Sequence, residues 1–195
     1  MANRHLRMRA AGVCIFTGMS LPSPARAAVA TLAAMILVPA LAAASSSASK
    51  ASVSKRALGK SSQLWATIDV CNPTDHPDEL GVRGSMPGNG QSGVAMYMRF
   101  RLQYLNSSTK HWVDLANGAT SFKNIGTAKS ARQYGTSFQL VPQPGRTFTL
   151  RGVVTFQWRR GATVLESLSR PTTRGHRSLA GADPPNFSAA TCSIS

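Results

Sequence analysis

The stretch VAMYMRFRLQY, residues Val94–Tyr104, decides the fold of this chain. Every second residue is large and apolar or aromatic, on the face formed by Val94, Met96, Met98, Phe100, Leu102 and Tyr104. The opposite face carries Ala95, Tyr97, Arg99, Arg101 and Gln103. Successive side chains of a β-strand point to opposite sides. The alternation therefore predicts a long strand with one face in the core and the other in solvent.

A second stretch, Thr147–Arg159, reads TFTLRGVVTFQWR and repeats the pattern. Its inward positions are Phe148, Leu150, Gly152, Val154, Phe156 and Trp158, and its outward positions include Arg151, Thr155, Gln157 and Arg159. Arg160-Gly161 is a tight turn that pairs this strand with Ala162–Ser169. The polar turn at residues 106–110 pairs the first strand with His111–Leu115.

Shorter patterns complete the prediction. Leu64–Cys71 and Tyr134–Val141 are typical of strands, and residues 72–93 are predicted as a long Gly- and Pro-rich loop. For residues 120–132 the pattern does not decide between a loop and a short strand. About seven short strands with regularly spaced turns predict an all-β, antiparallel sandwich. With only 15% of its residues charged, the chain is poorly suited to long helices.

The strand order resembles the B-C-C′-E-F-G order of immunoglobulin-like and fibronectin-type-III domains. The residues that carry the resemblance are MRFRLQY…HWVDL for C and C′, and FTLRGVVTFQW…ATVLESL for F and G. The resemblance covers roughly residues 63–170 and implies an immunoglobulin-like sandwich. The chain departs from that family because Cys192 follows the last strand, so no Cys-Trp-Cys core arrangement is present.

The first 44 residues have the pattern of a signal peptide. Four arginines precede or begin an apolar run, AAVATLAAMILVPALAAA at Ala27–Ala44, which ends in small residues. We expect cleavage and export, to the extracellular space or the cell envelope. The alternative is a retained membrane anchor, because the run approaches the length of a bilayer-spanning helix.

Two further segments follow the signal peptide. Residues 45–62 are rich in Ser, Ala and Lys and predict a flexible linker, and residues 63–195 form the sandwich domain with its C-terminal tail. Of the three cysteines, Cys14 leaves with the signal peptide. Cys71 and Cys192 then form a pair that predicts a disulfide in an oxidising compartment. The alternative is two unpaired buried thiols.

The net charge is strongly positive. The chain has a formal charge of +15, of which four charges belong to arginines of the signal peptide, so +11 remains after cleavage. A charge of this sign makes polyanions candidate partners. The alternative is that the charge serves only solubility.

The outward arginines are the main candidate binding residues. Arg99 and Arg101 share the outer face of one strand with Tyr97, while Arg151 and Arg159 lie on the outer face of another. If the two strands are neighbours, the face is basic and suits phosphates or sulfated and carboxylated sugars. The alternative is an ordinary solvated sheet face.

Other chemistry is weakly represented. Residues 75–79, DHPDE, could hold a metal ion but match no calcium loop and are typical of a solvated turn, so no metal or cofactor is expected. The sequence has no Gly-x-Ser-x-Gly elbow and no nucleic-acid-binding signature, and alternation places Met96 and Met98 in the core.

The sequence therefore predicts a secreted, non-enzymatic module that binds a partner or serves a structural role at the cell exterior. The partner is unknown, and the candidates are an acidic polysaccharide or another envelope polyanion. We expect no specific nucleic acid. A membrane is a partner only if the signal segment is retained. The alternative function is an extracellular hydrolase in which His111 or His176 meets an acid in a cleft.

Overall fold

A computed structural model describes residues 55–176 and 179–195 of the chain, and the predicted signal peptide and residues 45–54 of the predicted linker lie outside this part. The described residues form one helix and nine strands. In chain order these are α1 (Lys55–Lys60), β1 (Trp65–Cys71), β2 (Glu79–Met86), β3 (Gln91–Leu105), β4 (Trp112–Ala119), β5 (Lys123–Ala128), β6 (Arg132–Gln139), β7 (Phe148–Arg160), β8 (Thr163–Pro171) and β9 (Cys192–Ile194).

The strands form two antiparallel sheets, which confirms the predicted all-β class. One sheet has three strands in the order β1-β2-β6. The other has six strands, with the path β4-β3-β7-β8, β5 paired with β3, and β9 paired with β7. Both predicted hairpins, β3–β4 and β7–β8, are present. The structure has nine strands because β2 and β9 add to the six strands that the sequence placed, and β5 fills the segment that had been left open.

The pairing of β3 with β7 forms the centre of the larger sheet. Its register runs from Ala95 opposite Arg159 to Tyr104 opposite Leu150. The inward side chains of both strands contribute most of the large, fully buried residues, including Met96, Met98, Phe100, Phe156 and Trp158. The buried indole NH of Trp158 donates to the carbonyl oxygen of Pro87 at 3.1 Å, so burial leaves it paired.

The prediction of a loop over residues 72–93 is wrong for its middle third, because residues 79–86 form strand β2. This strand lies between β1 and β6, and its buried residues Leu80, Val82 and Met86 alternate with Glu79, Arg83 and Ser85, while two glycines interrupt the pattern. A Cβ on Gly81 would lie 2.8 Å from the Cβ of Val70, and one on Gly84 would lie 3.1 Å from Cε1 of Phe156. The glycines that suggested a loop therefore allow close packing in a strand.

A helix occupies the end of the predicted linker. Leu58 in α1 is only 3% exposed and belongs to the hydrophobic core. Arg170 on β8 donates from Nη2 to the carbonyl oxygen of Gly59 at 2.6 Å, which fastens the helix to the larger sheet. The described fold thus includes residues before Gln63, because Leu58 attaches the otherwise polar helix α1 to the core.

The predicted disulfide between Cys71 and Cys192 is confirmed, with Cα atoms 5.7 Å apart. As expected, it fastens the C-terminal tail to the first strand. Because β9 pairs with β7, the bond also joins the smaller sheet to the larger one. The cysteines are 121 residues apart in sequence. A loop of that length corresponds to roughly 4–5 kcal/mol of stabilisation in the chain-entropy account.

Close packing between the sheets gives a stability prediction. A Cβ on Gly152 would lie 2.7 Å from Cγ1 of Val82 and 2.9 Å from Cγ2 of Thr172. We expect Gly152→Ala to lower the free energy of unfolding by about 1–3 kcal/mol in urea denaturation, because the added methyl group overpacks the core.

Gly93→Ala is the matched control. Gly93 lies in the same sheet, on β3, but a Cβ added there would have no other atom within 4 Å. Its unfolding free energy should stay within about 0.5 kcal/mol of the parent value. Equal stabilities for the two variants would contradict the close sheet-to-sheet contact at Gly152.

Candidate functional site

The five predicted binding residues lie on the outer face of the six-stranded sheet, which we call the arginine face: Tyr97, Arg99, Arg101, Arg151 and Arg159. The condition set by the sequence, that their strands be neighbours, is met by β3 and β7. The register places Arg99 opposite Thr155 and Tyr97 opposite Gln157. All five residues are partly exposed. The structure therefore brings these residues onto one surface.

Arg101 is paired with a carboxylate of the neighbouring strand. Its Nη1 lies 2.6 Å from Oδ2 of Asp114 on β4, and Gln103 donates from Nε2 to Oδ1 of the same carboxylate at 2.8 Å. The hydrogen bond from Gln103, followed by the charge and hydrogen bond of Arg101, lowers the pKa of Asp114 below its ordinary 3.8 despite slight desolvation. Asp114 therefore stays ionised at neutral pH and partly neutralises the arginine face.

Arg151 is held by stacking. Its guanidinium carbon lies 4.2 Å from the ring centre of Trp112 on β4, a cation–π geometry. Its Nε donates to Oε1 of Gln103 at 2.9 Å. Burial lowers the pKa of Arg151, but an arginine remains charged at neutral pH.

Arg159 lies over two aromatic rings at the other end of the arginine face. Its guanidinium carbon is 4.3 Å from the ring centre of Tyr97 and 4.7 Å from that of Phe122. Its Nε donates to Oε1 of Gln157 at 2.9 Å. The stacked rings hold the long side chain flat against the sheet, which limits its conformational freedom.

Unpaired donors remain on this surface. Arg99 donates from Nε to the carbonyl oxygen of Thr120 at 3.2 Å. Within residues 55–176 and 179–195, the two terminal nitrogens of Arg99, and likewise those of Arg151, have no hydrogen-bond acceptor. Each guanidinium is thus positioned through Nε and presents its outer edge for a bidentate contact with an oxyanion.

Four contributors to the arginine face were not predicted: Gln103 as an organising residue, Trp112, Asp114 and Phe122. The hairpin turn could have indicated Trp112, since it places that residue opposite Leu105. The same hairpin register places Asp114 directly opposite Gln103. The register shifts between Gln103 and Arg101, so the contact of Asp114 with Arg101 is the part that the sequence pattern does not indicate. Phe122 reaches Arg159 because the segment before β5 runs alongside β3.

Residues 75–79 form part of the β1–β2 turn. Asn72 accepts the backbone N–H of Asp78 through Oδ1 at 2.7 Å, a side-chain cap of a turn. His76 and Asp75 are exposed and 3.7 Å apart. No group of three or more His, Cys, Asp or Glu residues positioned to hold a metal ion occurs in the described part of the chain.

The two candidate catalytic histidines lie in different settings. His111 is exposed in the β3–β4 turn, whereas His176 stacks on Trp65 with ring centres 4.2 Å apart. Nε2 of His176 is 3.3 Å from Oγ1 of Thr173. Among the described residues, neither histidine has a carboxylate oxygen within 4 Å; His76 alone does.

Three clefts open on the described surface. An apolar one of about 470 Å³ adjoins a polar one of about 430 Å³ at the rim of the sandwich. A third, of about 410 Å³, lies beside the nearly buried Asp69, whose Oδ2 accepts from Nε of Arg83 at 2.6 Å. None of these three clefts is lined by a histidine.

Comparison with known proteins adds little. No protein-family model matches the chain, and no curated protein matches it. One solved structure, the alkylpurine DNA glycosylase AlkC of Pseudomonas fluorescens bound to DNA containing an abasic site analogue, is similar at 13% identity with a TM-score of 0.31. The match covers 56% of this chain and 29% of that one. A likeness this distant supports no statement about function.

None of the helices in the described part is both long enough and apolar enough to cross a bilayer.

The partly buried His176 gives a pH prediction. Desolvation lowers its pKa below the ordinary 6.5, so the unfolded chain takes up a proton more readily than the native protein. The free energy of unfolding should therefore fall as pH falls from about 7.5 to about 5. His176→Phe keeps a ring against Trp65 but cannot titrate, so urea denaturation should show a smaller fall.

His111→Gln is the control, because it removes an exposed histidine and should leave the pH dependence at the parent value. A pH dependence that is identical in His176→Phe and the parent protein would contradict a role for His176.

Proposed function

We propose that this chain is an exported, non-enzymatic module that binds an acidic polymer at the cell exterior through the arginine face. The observation that carries the proposal is the presence of four arginines on two adjacent strands; among the described residues, the terminal nitrogens of Arg99 and Arg151 have no hydrogen-bond acceptor. None of the three clefts described above is lined by these four arginines, which suits an extended partner more than a small substrate.

The spacing of the charges favours a repeating anion. Residues two apart on a strand are roughly 7 Å apart, and neighbouring strands are about 4.8 Å apart. Arg99 and Arg101 have the first spacing, and Arg151, which lies opposite Gln103 on the neighbouring strand, is diagonally across from Arg101. An acidic polysaccharide carries sulfate or carboxylate groups at regular intervals, and each guanidinium can contact one such group with two parallel hydrogen bonds.

The aromatic residues support the same partner. Trp112 and Tyr97 lie beneath guanidinium groups, so Arg151 and Arg159 are already ordered before a ligand arrives. Binding then loses less side-chain entropy than it would with freely moving arginines. Pre-ordered arginines distinguish this surface from a merely solvated face.

Export is supported by two features. Residues 1–44 have the basic, apolar and small-residue regions of a signal peptide, in that order. The Cys71–Cys192 disulfide is the kind of bond that persists in oxidising compartments. We therefore place the module outside the cytoplasm, in the medium or the envelope.

The strand order supports membership of the immunoglobulin-like architecture. The order β1-β2-β6 corresponds to A-B-E, and β4-β3-β7-β8 corresponds to C′-C-F-G. In this assignment β1 is strand A rather than strand B, because β2 follows it as the second strand of the same sheet.

The binding proposal is tested with heparin resin as the polyanion. The double variant Arg99→Ser/Arg101→Ser should lose retention at moderate salt, because two adjacent guanidinium groups leave the arginine face. The measurement is the salt concentration at which the folded protein elutes, with circular dichroism to verify folding.

Arg146→Ser/Arg160→Ser is the control with the same change in net charge, since both arginines are exposed and lie outside the arginine face. It should elute close to the parent. Asp114→Asn should elute later, because it removes the carboxylate that pairs with Arg101. Equal losses in the two double variants would show that only net charge matters and would overturn the proposal.

The export proposal is tested by the intact mass of protein recovered from the culture medium. We expect a chain that begins near Ala43 or Ser45, lacks two hydrogens, and resists thiol labelling until it is reduced. A full-length, membrane-bound product would instead indicate that the signal segment is retained.

A further inference from the structure

A groove at the rim of the sandwich, between edge strands β4 and β6, exposes apolar side chains. We call it the rim groove; its volume is about 470 Å³. Its walls include Leu115, Phe138, Leu140 and Phe148, and buried Ile194 lies at its base. This volume is within the roughly 300–1,000 Å³ of typical small-molecule sites, which are also mainly apolar.

The segment after β6 adds to this apolar surface. Val141, the most exposed large apolar residue of the described part, is 93% exposed and lines the rim groove beside Leu140 and Pro142. Exposed apolar side chains that converge on a cleft indicate a binding site more strongly than scattered ones do.

The rim groove continues into a polar and basic cleft. The adjoining cleft of about 430 Å³ shares Tyr104, Gln143 and Phe148 with it and is also lined by Arg146. Nη1 of Arg146 donates to Oε1 of Gln143 at 3.2 Å, which places the guanidinium at the junction. Neither cleft is lined by a carboxylate. The combined surface is therefore apolar at one end and positively charged at the other.

We propose that the rim groove binds a free single-chain carboxylate, with the alkyl chain against Leu115, Phe138 and Leu140 and the carboxylate at Arg146. The lack of an acidic residue in either cleft and the position of Arg146 select an anionic head group. The apolar side chains that line the rim groove select an alkyl chain. This site differs from the arginine face, so it does not depend on the proposed function.

Calorimetric titration with octanoate, decanoate and dodecanoate, each below its micelle-forming concentration, tests the apolar half. Each step of two methylenes should tighten binding roughly tenfold while the chain still fits the groove. The absence of binding by all three, or affinities that do not depend on chain length, would overturn the proposal.

Val141→Asp places a carboxylate in the rim groove at a position too exposed to affect folding. It should weaken decanoate binding at least about tenfold, through both repulsion and lost apolar contact. Val164→Asp is the matched control, because Val164 on β8 is also exposed, at 45%, but does not line the groove. Unchanged binding in Val141→Asp would exclude the rim groove as the site.

Arg146→Gln tests the head group. It should weaken decanoate about tenfold and leave the binding of decanol unchanged, because decanol carries no charge. Arg160→Gln, at the far end of β7, is the control. Equal affinities of decanoate and decanol for the parent protein would overturn the proposal that the site selects an anionic head group.

Sedimentation of the unliganded protein tests the competing occupant, a second copy of the chain. We expect a monomer in the parent and in Val141→Asp. A dimer that dissociates in Val141→Asp would show that the rim groove is a self-association surface and would overturn the ligand proposal.

Discussion

The antiparallel pairing of β3 with β7 fixes both the inside and the outside of this protein. Ten residues of each strand are paired in an unbroken register from Ala95–Arg159 to Tyr104–Leu150. Because side chains alternate, the same register that buries Phe100 and Phe156 directs Arg99 to the surface. A slip by one residue would move every core side chain into solvent, so the core holds the arginine face in place.

Strands were most predictable from the sequence where one face is buried and the other is exposed to solvent. β3 and β7 were predictable because each combines a clear period of two with unusual length, and the two cysteines left little choice of partner. β2 was missed although Leu80, Val82 and Met86 have a period of two, because Gly81 and Gly84 within it resemble a loop. Leu58 was too isolated in a polar segment to indicate a helix that packs on the core.

The arginine face was predictable as a set of residues but not as an arrangement. Alternation alone places Arg99, Arg101, Arg151 and Arg159 on outer faces, and the neighbouring positions of β3 and β7 follow from the strand order. The ion pair of Arg101 with Asp114 joins residues that are not directly opposite in the register of β3 and β4, and the contact with Phe122 depends on the path of the chain before β5. Such details come from backbone geometry that hydrophobic patterning does not determine. The rim groove was missed for a related reason, since its walls come from five separate segments.

The position of the disulfide has a mechanical consequence. Cys71 ends the first strand and Cys192 begins the last, so the bond closes a loop that contains strands β2 to β8 and leaves α1 and most of β1 outside it. A pulling force applied through the segments on either side would pass through the sulfur atoms and bypass most of the strands between them. The 121-residue separation corresponds to roughly 400 Å of extended chain that such a force could not draw out while the bond is intact. An oxidised molecule tethered by its termini would behave as a short, nearly inextensible link.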